Sequence, residues 1–142
     1  NGRRGSRLVY FRIDRVARYT DRDVARLMDD TGIVRNRSKI EATIANARAA
    51  LELRQSGESL AALIWQYEPV RTRPPKKFSE LPATTAEATA LSKDLRKRGF
   101  RFVGPTTLYA AMQALGVVND HLAGCASGAA ADAERAALIR PQ

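Results

Sequence analysis

His121 and Cys125 are the only histidine and the only cysteine in the chain, and they stand four positions apart. On a helix, residues at i and i+4 share a face, so the spacing brings an imidazole and a thiolate within reach of one metal ion. Those donors suit Zn2+, which takes four ligands in a closed structural site. The chain supplies two, and the others would have to be carboxylates, a partner chain or a further segment. Two other readings compete with a metal. One is a capped histidine beside a small buried thiol. The other is a Cys–His nucleophile, for which the pattern offers neither a third orienting group nor an oxyanion site.

A second cluster lies just before this pair. Gly99 and Gly104 bracket the four residues FRFV, with Lys97, Arg98 and Arg101 in or beside the bracket and Thr106 and Thr107 just after it. So short a connection forces the flanking helices to meet sharply. The peptide N–H groups of the turn, and of the first turn of the next helix, are then expected to point outward unpaired, with basic side chains and hydroxyls around them. That arrangement holds a phosphate. It gives grip without reading sequence. A solvated helix–helix turn is the plain alternative. Phe102 and Val103 are expected to turn inward and anchor the loop. The connector 33–38 repeats the theme, because Arg35, Arg37 and Lys39 follow a Gly-ended helix; they either touch a second phosphate or are solvated.

The elements that must position these groups read as helices throughout. Thr20 with Asp23 forms a capping box before a helix whose face is Val24, Leu27 and Met28, ending at Gly32. Ile40, Ile44, Ala47 and Leu51 recur at helical spacing up to Gly57. Ser59 is placed to cap a short helix with Leu60, Leu63 and Ile64 inward. Four prolines and the RTRPPKK patch make 69–82 irregular. Thr84 and Glu87 form another capping box, opening a helix with Ala88, Leu91 and Leu95 on one side and Lys93, Arg96 and Lys97 outside. Gly99 terminates it. Pro105 suits the first turn of the next helix, whose face is Leu108, Met112 and Leu115 up to Gly116. Asn119 or Asp120 is placed to cap a short helix carrying His121, Leu122 and Cys125, and a surface helix is expected over 132–139. Strand alternation is absent, and the fold class expected is all-α. Residues 1–13 read as a divergent or disordered arm, 14–125 as the domain, and 126–142 as an Ala-rich tail.

Composition narrows the partners. At 142 residues the chain fits one domain. A net charge of +9 and a pI near 10.4 favour a polyanion such as nucleic acid. One cysteine excludes an intrachain disulfide and fits a reducing compartment such as the cytoplasm. No apolar run is long enough to span a membrane, and no signal-peptide core stands at the N-terminus.

Two stretches, TGIVRNRSKIEATIANA over 31–47 and LSKDLRKRGFRFVGPTTLYAAMQALGVVNDHLAGC over 91–125, closely resemble the type I, constitutive 3-methyladenine DNA glycosylases of the helix-hairpin-helix superfamily. The phrases GFRFVG, MQALG and VNDH carry the likeness in combination. The resemblance implies a helix-hairpin-helix bundle that hydrolyses the N-glycosidic bond of N3-methyladenine in double-stranded, alkylated DNA, acting as a monomer. The 99–104 hairpin would grip the backbone while the damaged nucleotide is flipped out. It also implies that His121 and Cys125 are two of four ligands of a structural Zn2+, and that Tyr109 is a candidate for the base pocket. Asp120 stands near the catalytic aspartate of other superfamily members, with helix capping as its simpler role. By the same likeness the chain lacks a preceding segment that carries the other zinc ligands and most of the pocket, so a non-catalytic DNA-binding module, or an inactive fragment, is the alternative to a glycosylase.

Overall fold

A computed structural model describes residues 12–70, 76–121 and 123–142. The arm over 1–11, the 71–75 part of the basic RTRPPKK stretch, and Leu122 lie outside them. Among the described residues every regular element is helical. In chain order these are α1 (Ile13–Val16), α2 (Asp21–Met28), α3 (Arg37–Gln55), α4 (Leu60–Gln66), a 3-10 turn (Phe78–Glu80), α5 (Ala86–Lys97), α6 (Pro105–Ala114) and α7 (Ala126–Ala137). They fall into two compact units, one running up to Gly57 and including Lys97–Phe102, the other made of Glu58–Arg96 and Val103–Gln142.

In the first unit, α3 is the organising element. Val16, Val24, Ile40, Ile44 and Ala47 form a buried cluster, with Ile13, Tyr19, Leu27, Met28 and Ile33 packed on it. Each large aliphatic side chain removed from water in this way contributes about 2 kcal/mol. The Asp23 carboxylate accepts from the Thr20 N–H at 2.9 Å and from its hydroxyl at 3.2 Å, so the expected cap of α2 is present. The helix stops at Met28, four residues short of the expected Gly32, whose N–H instead donates to Asp30 Oδ1 at 2.8 Å. Asn36 caps α3, accepting from the Lys39 N–H at 3.2 Å. Arg37 and Lys39 therefore belong to the first turn of α3 and not to a connector. Leu53 is buried on this helix, whereas Leu51 is half-buried. From α3, Arg48 donates to the carbonyls of Ala17 and Tyr19, both at 2.9 Å, satisfying the C-terminal end of α1.

The second unit buries Ala62 and Leu63 of α4, Ala88, Leu91, Ser92 and Leu95 of α5, and Leu108, Tyr109 and Met112 of α6, with Val117 and Val118. Ser59 caps α4 through a bond from the Ala62 N–H at 3.2 Å. Leu60, expected inward, is exposed, because it occupies the first position of a seven-residue helix whose buried residues are Ala62 and Leu63. The cap of α5 is Thr85, not Thr84; its hydroxyl accepts from the Ala88 N–H at 3.2 Å, which leaves Glu87 outside any capping box. Leu115, expected on the inner face of α6, is its C-cap residue and is exposed; Tyr109 is buried on that helix beside Leu108 and Met112.

The C-terminal stretch read as a tail carries α7, which begins at Ala126 and ends at Ala137, six residues earlier at its start than expected. Glu68 ties it down. Its Oε1 accepts from Nη2 of Arg135 and of Arg140, each at 2.8 Å, and its Oε2 accepts from Arg140 Nε at 3.1 Å. The Arg140 guanidinium also lies 5.5 Å from the centre of the Trp65 ring.

Candidate functional site

The connection between α5 and α6 is built residue by residue from opposed demands. Gly99 ends α5 with φ at +92°, a conformation that glycine adopts freely. Phe100 is buried at 8% exposure. Arg101 is exposed, but its backbone is held at both ends: Asn46 Oδ1 accepts the Arg101 N–H at 2.7 Å, and Asn46 Nδ2 donates to the Arg101 carbonyl at 3.0 Å. The expectation that all the turn amides point outward unpaired is thus corrected at Arg101. The inward anchor is corrected too. Phe100 takes that role, while Phe102 is 64% exposed and Val103 half-buried. Phe102 also has a φ of +56°, in the left-handed region that non-glycine residues rarely adopt. Lys97 and Arg98 complete the basic groups on this stretch, Lys97 exposed and Arg98 half-buried.

At the start of α6, Gly104 is the N-cap and has no side chain to satisfy the first amides, and Pro105 follows at the first helical position. No acidic residue stands in that turn. Thr106 and Thr107 are exposed there. The Arg96 guanidinium of α5 lies beside this cap, since a Cβ on Gly104 would stand 4.0 Å from its Nη2. An uncapped helix N-terminus with two threonines and an arginine offers the charge and the donors that an anion would need. Arg35, Arg37 and Lys39 belong to the first unit, at the start of α3. All three are exposed, and Arg37 pairs with Glu41 at 3.6 Å.

His121 and Cys125 do not share a helix. Asn119 Oδ1 accepts from the His121 N–H at 3.3 Å, Gly124 has φ at +86°, and Cys125 is the extended N-cap of α7. Among the described residues from His121 to Cys125 none is helical. The capping role offered for Asp120 falls for the same reason, as no helix starts there. What unites these residues is an open cavity of about 1070 Å3 in the second unit, lined by Tyr109, Asp120, His121, Cys125, Asp132 and Arg135 among others.

Within that lining the polar groups are ordered. Asn119 Nδ2 donates to the Gly128 carbonyl at 2.9 Å and to Asp132 Oδ1 at 2.8 Å. Its amide orientation is fixed by two acceptors, so Oδ1 faces His121 Nδ1 at 2.6 Å. Asp120 Oδ2 accepts from Gln113 Nε2 at 3.2 Å, and burial pushes its carboxyl pKa up against the lowering influence of His121. The Cys125 thiol is held below its ordinary value by the backbone N–H groups of Gly128 and Ser127 in the first turn of α7. Tyr109 is 4% exposed, and its hydroxyl has no hydrogen-bond partner among the described residues. No group of three or more His, Cys, Asp or Glu side chains is close enough to hold a metal among the described residues. Asn46 and Arg96 were not legible as site residues; Asn46 acts on a residue 55 positions away, and Arg96 reads as one more outer charge on α5.

The methyladenine glycosylase family model matches residues 5–128. The chain is 47% identical over 114 residues to DNA-3-methyladenine glycosylase 1 of Escherichia coli K12, an alignment covering 78% of this chain and 60% of that protein. It is 40% identical to DNA-3-methyladenine glycosylase of Haemophilus influenzae over 78% of this chain and 61% of that protein. Among solved structures, a crystal structure of 3-methyladenine DNA glycosylase I aligns with a TM-score of 0.74 and 44% identity, covering 82% of this chain and 65% of that one. The Staphylococcus aureus 3-methyladenine DNA glycosylase I, solved for its recognition of 3-methyladenine, aligns with a TM-score of 0.72 and 33% identity, covering 83% and 64%. The chain spans about 60% of the length of the curated relatives it matches. With its all-helical architecture and a family match reaching from position 5 to the start of α7, this chain belongs to the methyladenine glycosylase family.

Proposed function

We propose that this chain acts in the excision of N3-methyladenine from alkylated double-stranded DNA, as a monomeric helix-hairpin-helix DNA glycosylase. The reaction breaks the bond between N9 of the base and C1′ of the sugar. Methylation at N3 makes the adenine cationic, so it departs as the neutral base, while water delivers hydroxide to C1′ and a proton to solvent. The uncapped start of α6, with Arg96, Thr106 and Thr107 around it, carries the reading: it is a phosphate-sized array of donors with no acidic residue in its first turn. In the first unit, the exposed Lys97 and Arg101 and the half-buried Arg98 suit a backbone contact of their own. Arg35, Arg37 and Lys39 suit a second backbone contact. Such contacts hold the duplex in register and leave base selection to a pocket.

The cavity of the second unit suits the flipped base. Its volume is at the upper end of the ~300–1000 Å3 typical of small-molecule sites. Tyr109 supplies a ring and a hydroxyl without an internal partner, and Asp120 supplies a carboxylate whose charge would oppose that of a cationic purine. His121 and Cys125 fit one half of a structural Zn2+ site by donor chemistry, and Asn119 orients the imidazole as second partners of zinc-binding histidines do. The other two donors would come from outside the described residues. Bound zinc would supply a cross-link between segments, with no part in the chemistry.

The deciding experiment measures free 3-methyladenine released from methylated duplex DNA, by chromatography, alongside duplex binding by fluorescence anisotropy. Base release above the uncatalysed rate supports the glycosylase reading. Binding without release leaves only the DNA-binding module, and absence of both removes the functional reading altogether.

A further inference from the structure

Among the described residues, Phe102 is the one non-glycine with positive φ, at +56°. That region is unfavourable for any L residue and most of all for one with a bulky apolar side chain. Its ring is nonetheless presented to solvent, 64% exposed, two positions after a phenylalanine that is 8% exposed. A strained residue persists only where its surroundings over-determine it, and such residues gather at sites of action. Here the constraint is visible. The Asn46 carboxamide engages both the N–H and the carbonyl of Arg101, at 2.7 and 3.0 Å, and so fixes the orientation of the residue immediately before Phe102. Phe100, buried on the other side of Arg101, prevents the loop from rolling.

Phosphate contact alone explains the exposed Arg101; it does not require an exposed aromatic ring in an unfavourable backbone state. A ring beside an exposed arginine does suit the face of a nucleobase, either stacked or wedged at an opened base step. We infer that Phe102 is a DNA-contacting residue that packs against an unstacked base of the duplex, and that Asn46 is the positioning residue that holds it there. The inference rests on the DNA-glycosylase reading and deepens it.

The test uses Phe102→Gly, which removes the ring and relieves the backbone, and Phe102→Asn, which tolerates the left-handed conformation without an aromatic side chain. Binding to a duplex with 2-aminopurine beside the lesion is followed by anisotropy and by the fluorescence rise on unstacking. Both variants are expected to keep or raise the thermal midpoint, to bind at least about fivefold more weakly, and to lose the fluorescence rise. The salt slope should be unchanged, because no phosphate contact is removed. Asn46→Ala should weaken binding in the wild-type background and add nothing in the Phe102→Gly background, a non-additivity that a merely structural asparagine would not give. Wild-type affinity and an intact fluorescence rise in both Phe102 variants would overturn the inference while leaving the DNA reading in place. A wild-type chain that binds no duplex overturns the reading itself, and this inference with it.

Discussion

The carboxamide oxygen of Asn119 lies 2.6 Å from Nδ1 of His121, while the nitrogen of the same amide donates to Gly128 and Asp132. An amide with its nitrogen committed to two acceptors can offer only its oxygen to the imidazole. A neutral His121 ring facing that oxygen donates from Nδ1, which leaves the lone pair of Nε2 as the ligand atom. Because the chain has a single histidine, its ring nitrogens give one unambiguous pair of 15N signals. Those signals should report the Nδ1–H tautomer in the wild type and a shift toward Nε2–H in Asn119→Ala. The same substitution should lower Zn2+ or Co2+ affinity by about 10–100-fold, the range for partners that orient a metal-binding histidine. An unchanged tautomer in the variant would remove Asn119 from the design of this site.

Asp120 carries a different signature. Burial raises its carboxyl pKa above the ordinary 3.8, so the folded state disfavours the charge. A carboxyl raised on folding lends stability to the protonated protein, and that stability is lost as pH rises through and above 3.8. Asp120→Asn should therefore raise the thermal midpoint at pH 7, with the gain shrinking to nothing as pH falls below the ordinary aspartate value. If Asp120 serves the cationic base as proposed, any base release should fall in the same variant that gains stability, the opposition expected of a site residue. A midpoint that drops at neutral pH would show that Gln113 and the other neighbours favour the carboxylate after all.

How much of this was legible in the chain divides along physical lines. Helix positions followed from short-range rules, since capping by Asp23 and Ser59 and termination at Gly57 and Gly99 depend on residues within four positions. The short connection between α5 and α6 was legible because glycines and a proline are adjacent in sequence. The His121–Cys125 relation was misread as helical periodicity. The side chain of Asn119 and the left-handed Gly124 break the backbone between the two, and a period read from two residues cannot reveal that. Asn46 was invisible for a stronger reason. Its partners are the backbone atoms of Arg101, 55 positions away, and a peptide group leaves no residue-type signal to read.

Glu68 is the residue on which the C-terminal stretch depends. Its carboxylate is held below the ordinary range first by the hydrogen bonds of Arg140 and then by the charges of Arg140 and Arg135, against some desolvation. A carboxyl depressed on folding contributes stability that is present above the ordinary glutamate value of 4.5 and lost as pH falls through and below it. Glu68→Gln should therefore narrow the difference between pH 7 and pH 3 midpoints. Glu68→Ala, which leaves Arg135 only the Val117 carbonyl and a buried Nε without a partner among the described residues, should cost about 2 kcal/mol. Chemical denaturation at both pH values measures each effect. In Glu68→Ala, amide exchange should also accelerate over α7 and the residues after it, because Arg140 reaches the Arg135 and Leu138 carbonyls at 2.7 and 3.1 Å only from its seat on Glu68.

Ser92 bears on the proposed phosphate contact from a position too buried to touch DNA itself. It is 1% exposed in the middle of α5, and its hydroxyl donates to the carbonyl of Val103 at 2.6 Å. That carbonyl belongs to the residue just before the Gly104 N-cap, so the bond fixes where α6 begins and where the amides of Thr106 and Thr107 point. Ser92→Ala takes the donor from the carbonyl of the half-buried Val103 and should destabilise the second unit by about 1 kcal/mol. Ser92→Cys keeps a weak donor of similar size and should recover part of that loss. Measured well below the midpoint, where every variant is folded, duplex affinity should still fall in Ser92→Ala with a smaller salt slope, because a displaced helix start gives up a phosphate contact. Stability lost with affinity and slope intact would separate the seat of Val103 from the grip on DNA.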